Sequence, residues 1–428
     1  WLNRFITDRS VKYSTVDDVC SAMRKNGYMC KLDLASAYRG VPITPGAYPY
    51  FGLSWKFSNE NTTTYMYDCK MAFGCAKACQ IFQRISDAIA RNLRGKNHSV
   101  VNYLDDFILF AEKKSDCWLA YNDAINLVLC LGFEINYDKC CQPSQITTFL
   151  GIEINSITRI IGLNDEKLFR LKSLIYEWRS KKHVKKRELQ SFIGKLQWAA
   201  TVHRSGRSFI RRLINLNNTL KLPFHRTRLT KEAQKDIEWW GSMLSHIAPR
   251  TRFKCDLPLP TEHVYADACH TGGGAMYKGD WFYVSWEKDF CLPKNTHIND
   301  LELITMTLAA RRWGHLWSNR TVVLHSDNTF TVFVARKCST RSVLGSECLR
   351  ELSTLALEFN FNYQTEHIKG ILNVWADSIS RLDECKKARW FFNELPRYGL
   401  PIYCSNNMSA EAYYLLKFVH MRCCNVFK

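Results

Sequence analysis

Two adjacent carboxylates between two apolar runs constrain the fold of this chain more than any other feature. The tetrapeptide Tyr103-Leu104-Asp105-Asp106 separates residues 99–102 from residues 107–110, and both runs are mainly apolar and β-prone. We expect two strands joined by a tight turn, with both acids at its tip. Such a turn is either a solvated hairpin end or, where a further acid lies beside it, a site for a hard cation such as Mg²⁺.

Asp33 is the acid that could complete a cation site. Residues 28–34 predict a strand that ends near Asp33 and leads into a short helical segment containing Tyr38. Taken alone, Asp33 is typical of a helix cap and Tyr38 of a core residue. If this strand neighbours the predicted hairpin, however, the carboxylates of Asp33 and Asp105 converge.

Hydrophobic periodicity divides the chain into several regions. Strands and helices up to residue 155 predict an α+β domain with an antiparallel sheet, in which Thr15 caps one helix and Gly132 ends another. Five apolar residues then recur at helical spacing: Leu189, Phe192, Ile193, Leu196 and Ala200. The predicted regions are 1–155, a basic helical region 156–250, a linker 251–260, a further domain 261–383, and an extension 384–428 whose role the sequence does not indicate.

The chain is strongly basic, with a formal net charge of +19 over 428 residues. Sixteen Lys and Arg but two acids lie between Arg179 and Lys235. This distribution favours a polyanionic partner, usually nucleic acid. A basic amphipathic helix can also lie on a membrane surface, but the acidic motifs favour nucleic acid.

The composition predicts an intracellular protein of the cytoplasm or nucleus. No apolar run reaches membrane-spanning length, no signal peptide opens the sequence, and 18 cysteines include no Cys-x-x-Cys pair. The first residue is Trp1 rather than Met, which suggests a piece of a longer polyprotein.

The region 261–383 contains a second set of acids. The pattern predicts three antiparallel strands followed by alternating helices and strands. Four acids fall on a strand, a helix start, a strand end and a helix: Asp267, Glu302, Asp327 and Asp377. Each acid alone is more often a cap or a surface residue, and His367, ten residues before Asp377, is alone typical of a surface histidine.

Five segments in order resemble the motifs of reverse transcriptases. They are Lys31-Leu32-Asp33-Leu34 with Tyr38, Met71-Ala72-Phe73-Gly74 through Gln83, Tyr103-Leu104-Asp105-Asp106, Leu131-Gly132-Phe133 with Lys139, and Phe149-Leu150-Gly151. The family's basic fingers residues precede the first motif and lie outside this sequence, and Cys79 stands where many relatives have proline.

This resemblance implies a role for each matched residue. Asp33 and Asp105 would bind divalent ions, with Asp106 as a supporting acid. Lys139 would protonate the departing pyrophosphate. The implied nucleotide contacts are Tyr38, which excludes a 2′-hydroxyl, together with Phe73, Gly74 and Gln83. The implied primer contacts are Phe149, Leu150 and Gly151.

The acids of region 261–383 resemble a ribonuclease H site, with His367 in the position of the auxiliary histidine. The resemblance implies that Asp267, Glu302, Asp327 and Asp377 bind two divalent ions, Mg²⁺ or Mn²⁺, as in the polymerase site. A narrower resemblance to DIRS-type (tyrosine-recombinase) retroelements is carried by residues 326–329, 340–342 and 367–381. The implied fold class is an α+β right-hand polymerase, with palm, partial fingers and helical thumb-connection, followed by an α/β ribonuclease H-like domain.

Three hypotheses of function follow. The first is an RNA-directed DNA polymerase with ribonuclease H activity, acting on an RNA template, a DNA primer, deoxynucleoside triphosphates and the RNA–DNA hybrid, with no membrane partner. The second is a degraded or co-opted element that only binds nucleic acid through its basic segment. The third is a nuclease whose polymerase half has become a scaffold. The sequence does not indicate the oligomeric state.

Overall fold

The computed structural model describes residues 2–6, 11–59, 61–246 and 250–394. The described residues divide into two compact units: unit 1 lies within Trp1–Leu168 and Pro249–Asp256, and unit 2 within Phe169–Ala248 and Leu257–Lys428. Most of the predicted extension 384–428 lies outside the described residues.

The helices and strands are numbered along the chain. The described helices are α1 (Val16–Ala22), α2 (Ala78–Gly95), α3 (Lys114–Cys130), α4 (Asp165–Ser180), α5 (Lys186–Ala199), α6 (Arg211–Asn218), α7 (Lys231–His246), α8 (Ile298–Trp313), α9 (Thr329–Lys337), α10 (Val343–Glu358), α11 (Val374–Ser380) and α12 (Cys385–Glu394). The described strands are β1 (Tyr28–Ala35), β2 (Gly52–Trp55), β3 (Thr64–Tyr67), β4 (Ser99–Tyr103), β5 (Asp106–Ala111), β6 (Glu134–Ile135), β7 (Cys141–Ser144), β8 (Ile146–Phe149), β9 (Ile152–Asn155), β10 (Ile160–Leu163), β11 (His183–Lys185), β12 (Arg226–Arg228), β13 (Arg250–Arg252), β14 (Glu262–Ala268), β15 (Gly272–Tyr277), β16 (Asp280–Ser285), β17 (Thr321–Ser326) and β18 (Asn362–His367).

Unit 1 is built on an antiparallel sheet with the strand order β4-β5-β1-β6, and β7 also pairs with β1. Helices α2 and α3 pack on this sheet and share one core with it, in which Leu32, Phe82 and Phe107 are fully buried. The α+β architecture predicted for the first domain is therefore confirmed. Leu32 and Leu34 on β1, with Phe107 and Leu109 on β5, lie at alternate positions and form the face that packs against the helices. Most of the residues between them are buried as well.

The N-cap of α1 and the glycine that follows α3 are the residues that the sequence predicted. Thr15 is the N-cap of α1, where its hydroxyl accepts from the amide of Asp18, and the Asp18 carboxylate accepts from the amide of Thr15. Gly132 follows α3 with a φ of +79°, a conformation that glycine adopts without steric cost.

The predicted linker 251–260 is in part a strand of unit 1. Strand β13 pairs with β10 as the edge of a four-stranded sheet in the order β13-β10-β9-β8. Beyond it, Arg159 forms an ion pair with Asp256 at 2.5 Å. The chain thus returns to unit 1 before it enters β14, which the proline and charge content of this segment did not reveal.

Unit 2 contains the basic helices and the predicted domain 261–383. Four of the five apolar residues at helical spacing lie on α5, and the fifth, Ala200, is its C-cap; all five are buried, as predicted. The basic helices contact the C-terminal domain closely: Arg212 Nη2 lies 2.6 Å from Oε1 of Glu347 on α10. The predicted boundary near residue 250 therefore does not separate two independent bodies, because these buried contacts join the two parts of unit 2.

The large sheet of unit 2 has the order β16-β15-β14-β17-β18, with β14 parallel to β17 and β17 parallel to β18. Helix α8 packs against β14 and β15 on one face, where α10 lies against α8, and α11 packs on the other face of the same two strands. The predicted α/β order of this domain is confirmed except between β17 and β18, where two helices, α9 and α10, replace the single helix that was predicted. No helix among the described residues is both long and apolar enough to span a bilayer.

Candidate active sites

The predicted acidic hairpin is formed by β4 and β5. Tyr103 pairs with Asp106, so the connecting turn consists of Leu104 and Asp105 alone. Leu104 has a φ of 50°, in the left-handed region that favours glycine. Gln83 on α2 supports this conformation, because its Oε1 accepts a 2.9 Å hydrogen bond from the amide of Leu104.

Asp33 lies directly opposite Asp106 across the antiparallel pair of β1 and β5. Cross-strand partners share one face of a sheet, so the two carboxyl groups meet there. Asp33 is 4% exposed. Burial, the contact with the Asp106 carboxyl group and the Asp106 charge raise the pKa of Asp33 above its ordinary value.

Two lysines partly compensate this concentration of acid. Nζ of Lys31 lies 2.7 Å from Oδ1 of Asp106 and 3.9 Å from Oδ2 of Asp33. Nζ of Lys139 lies 3.6 Å from Oδ1 of Asp33, on a side chain that is 62% exposed. Oδ1 of Asp33 is buried and accepts no hydrogen bond from the described residues. A buried carboxylate oxygen in this state is suited to a cation.

Asp105, predicted as the partner of Asp33, lies in the turn. Its carbonyl accepts a 3.1 Å hydrogen bond from the amide of Leu34, which ties the turn to β1. Burial raises the pKa of the Asp105 carboxyl group. The acid in register with Asp33 is instead Asp106, because β5 begins at that residue, and the convergence of Asp33 with Asp105 stays a prediction.

Three of the predicted nucleotide contacts lie near one another in unit 1. The ring of Tyr38 meets the rings of Phe73 and Phe82 edge to face, at centroid distances of 5.3 Å and 5.4 Å. Its hydroxyl lies 3.2 Å from Sγ of Cys79. Phe73 is 68% exposed, and Gly74 has a φ of +86° with open space around its Cβ position. This surface could accept a flat ring and a sugar.

Two predicted contacts are placed differently by the structure. Gln83 is buried, and its Nε2 donates to Oδ1 of Asp87 at 2.8 Å. Because its Oε1 accepts from the amide of Leu104, the side chain stabilises the acidic turn. Phe149, the last residue of β8, is fully buried. At the predicted primer contact, the turn residues Leu150 and Gly151 are half-buried, whereas Phe149 is fully buried.

In unit 2, three of the four predicted acids meet. One carboxylate oxygen from each of Asp267, Glu302 and Asp327 lies within 4.8 Å of the other two. Asp267 comes from β14, Glu302 from the first turns of α8 and Asp327 from the end of β17. These side chains line an open cavity of about 390 Å³.

Hydrogen bonds orient the two buried acids of this cluster. Ser380 at the end of α11 donates a 2.5 Å hydrogen bond to Oδ2 of Asp267. Glu302 accepts from the amide of Ala268 at 3.3 Å and from the hydroxyl of Ser326 at 3.1 Å. Sequence reasoning gave no role to Ser380 or Ser326, although Ser326 precedes Asp327 directly and Ser380 lies three residues after Asp377.

Burial and mutual repulsion shift the pKa of these acids strongly. Desolvation, with the charges of Asp327 and Asp377, raises the pKa of Asp267 to about 7. Desolvation, with the charges of Asp267 and Asp327, raises the pKa of Glu302 to about 9. Three carboxylates this close cannot all ionise without a compensating cation, so the donor set fits a divalent ion held by oxygen ligands.

Asp377 and His367 lie at the edge of this cluster. Asp377 is close enough for its charge to raise the pKa of Asp267, and its Oδ1 accepts from Nε of Arg381 at 2.9 Å. Nε2 of His367 lies 3.0 Å from the carbonyl oxygen of Asp327. Asp377 is not part of the three-residue group in the described structure, and its predicted role as a ligand remains a prediction.

Two glycines of β15 allow this arrangement. A Cβ on Gly274 would lie 2.4 Å from Cγ2 of Ile379, and a Cβ on Gly273 would lie 2.3 Å from Oγ1 of Thr305. Adjacent residues of a strand point to opposite faces, so α8 and α11 approach the sheet from both sides at this point. The close approach of α11 brings Ser380 against Asp267.

The comparison with known proteins supports a reverse transcriptase domain in unit 1. Residues 2–154 match the sequence model of the family "Reverse transcriptase (RNA-dependent DNA polymerase)". This part of the chain is therefore similar to reverse transcriptase domains.

Related polyproteins extend this similarity. The enzymatic polyprotein of figwort mosaic virus (strain DxS) is 23% identical over 321 residues, which cover 72% of this chain and 44% of the viral protein. The enzymatic polyprotein of cauliflower mosaic virus (strain Strasbourg) is 24% identical over 326 residues, which also cover 72% of this chain and 44% of that protein. The chain thus spans less than half the length of these relatives.

A solved structure shares the fold. The foamy viral protease-reverse transcriptase in complex with an RNA/DNA hybrid matches with a TM-score of 0.50 and 17% identity, over 85% of this chain and 47% of that one. This likeness supports a reverse transcriptase polymerase fold.

Proposed function

We propose that unit 1 is an RNA-directed DNA polymerase of a retroelement. The observation that carries the proposal is the register of Asp33 opposite Asp106 beside the Tyr103–Asp106 turn, within the residues that match the reverse transcriptase family. Divalent ions would stabilise the attacking and leaving oxygens of phosphoryl transfer at this site. Asp33, Asp105 and Asp106 are the residues that would hold them here.

The protein's own side chains prepare this site for a triphosphate and a primer. Gln83 and Leu34 fix the turn, so that the acids need not reorganise when substrate arrives. Tyr38 would lie beneath the sugar of the nucleotide, where its ring leaves no room for a 2′-hydroxyl. Lys139 lies beside Asp33 on an exposed side chain and would donate a proton to the leaving pyrophosphate.

Primer extension tests the polymerase. We expect incorporation of deoxynucleotides on an RNA template with Mg²⁺ or Mn²⁺, and a loss of at least about a hundredfold in Asp105→Asn, because removing a metal ligand forfeits several kcal/mol of transition-state stabilisation. The assay is run on this chain and on a longer chain that includes upstream residues. If neither extends a primer, the polymerase proposal is wrong and unit 1 acts as a scaffold or a binding module.

We further propose that the acid cluster of unit 2 hydrolyses the RNA strand of RNA–DNA hybrids, as in ribonuclease H. The approach of Asp267, Glu302 and Asp327 to within 4.8 Å of one another supports this proposal. Ser380 and Ser326 orient the acids. Asp377 would complete the ligand set, and His367, whose Nε2 lies 3.0 Å from the carbonyl oxygen of Asp327, would exchange a proton at the rim of the site.

Hybrid cleavage tests the nuclease. With Mg²⁺, an end-labelled RNA strand should be cut only when it is paired with DNA, and Asp327→Asn should reduce the rate by at least about a hundredfold. Cleavage that persists in Asp327→Asn at the wild-type rate would contradict the proposal, because it would come from another site or a contaminant.

The basic helices of unit 2 are proposed to bind the backbone of the template–primer duplex. The Lys and Arg between Arg179 and Lys235, apart from Arg212, which pairs with Asp236 and Glu347, support this role. Backbone contacts with phosphate are independent of sequence and sensitive to salt. A chain that binds the hybrid but performs neither reaction would be a co-opted nucleic-acid-binding protein. The narrower placement among DIRS-type retroelements remains a prediction from the sequence.

A further inference from the structure

Two neighbouring arginines at the start of α6 have opposite surroundings. Nη1 of Arg212 lies 2.7 Å from Oδ1 of Asp236, and its Nη2 lies 2.6 Å from Oε1 of Glu347. Arg211, in contrast, forms no ion pair and no side-chain hydrogen bond with any residue that the structure describes, and its Nε is buried without an acceptor. The charge of Arg212 is compensated within the protein, and that of Arg211 is not.

A second cation, Arg341, lies three residues after Cys338, whose carbonyl accepts a hydrogen bond from Ser208 just before α6. Arg341 is exposed in the loop between α9 and α10, and among the described residues it also has no acidic partner. Burial, together with the Arg341 charge, lowers the pKa of Arg211. A half-buried guanidinium beside a second cation is unfavourable unless an anion compensates both.

Packing fixes the positions of both arginines. The Ser208 hydroxyl, in the 3₁₀ helix just before α6, donates to the carbonyl of Cys338 at 3.2 Å, and Arg350 on α10 donates to the carbonyl of Ser208 at 3.2 Å. Ser342, which follows Arg341, is the N-cap of α10. Both cations therefore lie on elements that already contact one another, rather than on separate mobile segments.

We propose that Arg211 and Arg341 together bind one phosphate of a nucleic acid backbone. The planar guanidinium group donates paired hydrogen bonds to phosphate oxygens. Arg341 is exposed and Arg211 half-buried, so an anion can enter from solvent and reach the buried N–H. That the phosphate belongs to nucleic acid rests on the proposed function, whereas the anion site itself rests only on this geometry.

Thermal unfolding of the full chain tests the anion site with inorganic phosphate as the probe. Phosphate should raise the Tm of the wild type more than chloride at equal ionic strength, and Arg211→Gln and Arg341→Gln should lose most of this difference. Without phosphate, Arg211→Gln should unfold at the wild-type Tm or above it, because an uncompensated charge is removed. Arg389→Gln, on the exposed surface of α12, is the matched control and should keep the phosphate effect.

A structural role for Arg211 gives the opposite pattern. If Arg211→Gln lowers the Tm without phosphate and keeps the wild-type phosphate shift, Arg211 stabilises the fold and the anion site is wrong. The double variant adds a second check. Two arginines on one phosphate should be non-additive, so Arg211→Gln/Arg341→Gln should lose little more than either single variant.

Equilibrium binding of an RNA–DNA hybrid identifies the source of the phosphate. Each variant should bind the hybrid about tenfold more weakly than wild type, because a hydrogen bond to a charged group contributes about that factor, and the salt dependence should fall by about one counterion. Arg211→Lys should recover part of the affinity. If the phosphate shift is present but hybrid affinity is unchanged, the site binds free phosphate and the backbone assignment is wrong. If the wild type binds no hybrid, the proposed function fails, and the phosphate experiment still decides the anion site.

Discussion

Asp33 and Asp106 face each other across β1 and β5, and Lys31 joins them with Nζ 2.7 Å from Oδ1 of Asp106 and 3.9 Å from Oδ2 of Asp33. In the metal-free protein, this lysine and Lys139 partly compensate the two carboxylates, and Lys31 is the one that contacts both. A bound divalent ion would take over that role.

Substitution of Lys31 by methionine should therefore destabilise the metal-free protein. We expect the free energy of unfolding in EDTA to fall by about 1–3 kcal/mol, because a buried acid loses its charged partner. The stabilisation by added Mg²⁺ should be larger in Lys31→Met than in the wild type. Lys139→Met is the control, and because that side chain is 62% exposed it should cost less than about 1 kcal/mol. Equal stability of Lys31→Met and wild type in urea titrations would contradict this role.

The acids of unit 2 predict a pH dependence of stability. The folded protein holds Asp267 and Glu302 with pKa values of about 7 and about 9, above those of the unfolded chain, so between pH 4 and 9 the folded state binds more protons. Stability of the metal-free protein should then fall as pH rises through this window, by up to about 1.4 kcal/mol per pH unit and titrating group.

Denaturant titrations in EDTA at several pH values measure this dependence. Glu302→Gln should flatten the curve above pH 7, since a neutral amide needs no proton, and Mg²⁺ should stabilise the wild type more at pH 8 than at pH 6. A metal-free wild type whose stability rises between pH 6 and 8 would show that these acids are ionised in the folded state.

Gly274 is predicted to control the second site through α11. An alanine Cβ would lie 2.4 Å from Cγ2 of Ile379, so α11 must move away from β15 and Ser380 from Asp267. We expect a loss of about 1–3 kcal/mol in stability and a marked loss of hybrid cleavage, with primer extension kept. The matched control is Gly194→Ala on α5, where nothing lies within 4 Å of the Cβ position and alanine should be neutral or stabilising. Unchanged cleavage in Gly274→Ala would mean that α11 does not position the site.

Arg212 is predicted to be structural, in contrast to its neighbour Arg211. It bridges Asp236, which is fully buried, and Glu347, which also accepts from Nη2 of Arg350 at 2.6 Å. Arg212→Gln would leave two buried acids short of a cation and should cost about 3–5 kcal/mol. Arg226→Gln, on the exposed strand β12, should change stability by less than about 0.5 kcal/mol. Similar unfolding midpoints for the two variants would show that the Arg212 contacts contribute little.

Local patterns predicted the elements of both sites, and pairing between distant segments decided their details. The apolar runs around Asp105 and the cap at Thr15 depend on neighbouring residues, and both could be recognised in the sequence. Which of two adjacent acids faces Asp33 depends on the residue at which β5 begins to pair with β1, a contact between distant segments. The hydrogen bond between Gln83 and the turn residue Leu104 could not be predicted for the same reason, because the two residues are far apart in the sequence.

The second site shows the same division. The resemblance to a ribonuclease H site implied a cluster of four acids, and three of the four meet. Ser380 was not predicted because its hydrogen bond to Asp267 depends on the packing of α11 against Gly274, which periodicity does not record. The buried charges around Arg212 were counted with the basic surface, because sequence spacing does not distinguish a solvated arginine from one paired across 135 residues.

Two separate acid sites, each with its own reaction, can be tested by measuring primer extension and RNA-strand cleavage on Asp105→Asn and Asp327→Asn with Mg²⁺. We predict that Asp105→Asn loses extension and keeps cleavage, and that Asp327→Asn loses cleavage and keeps extension. Both activities retained in both variants would contradict the assignment of these carboxylates to the two reactions.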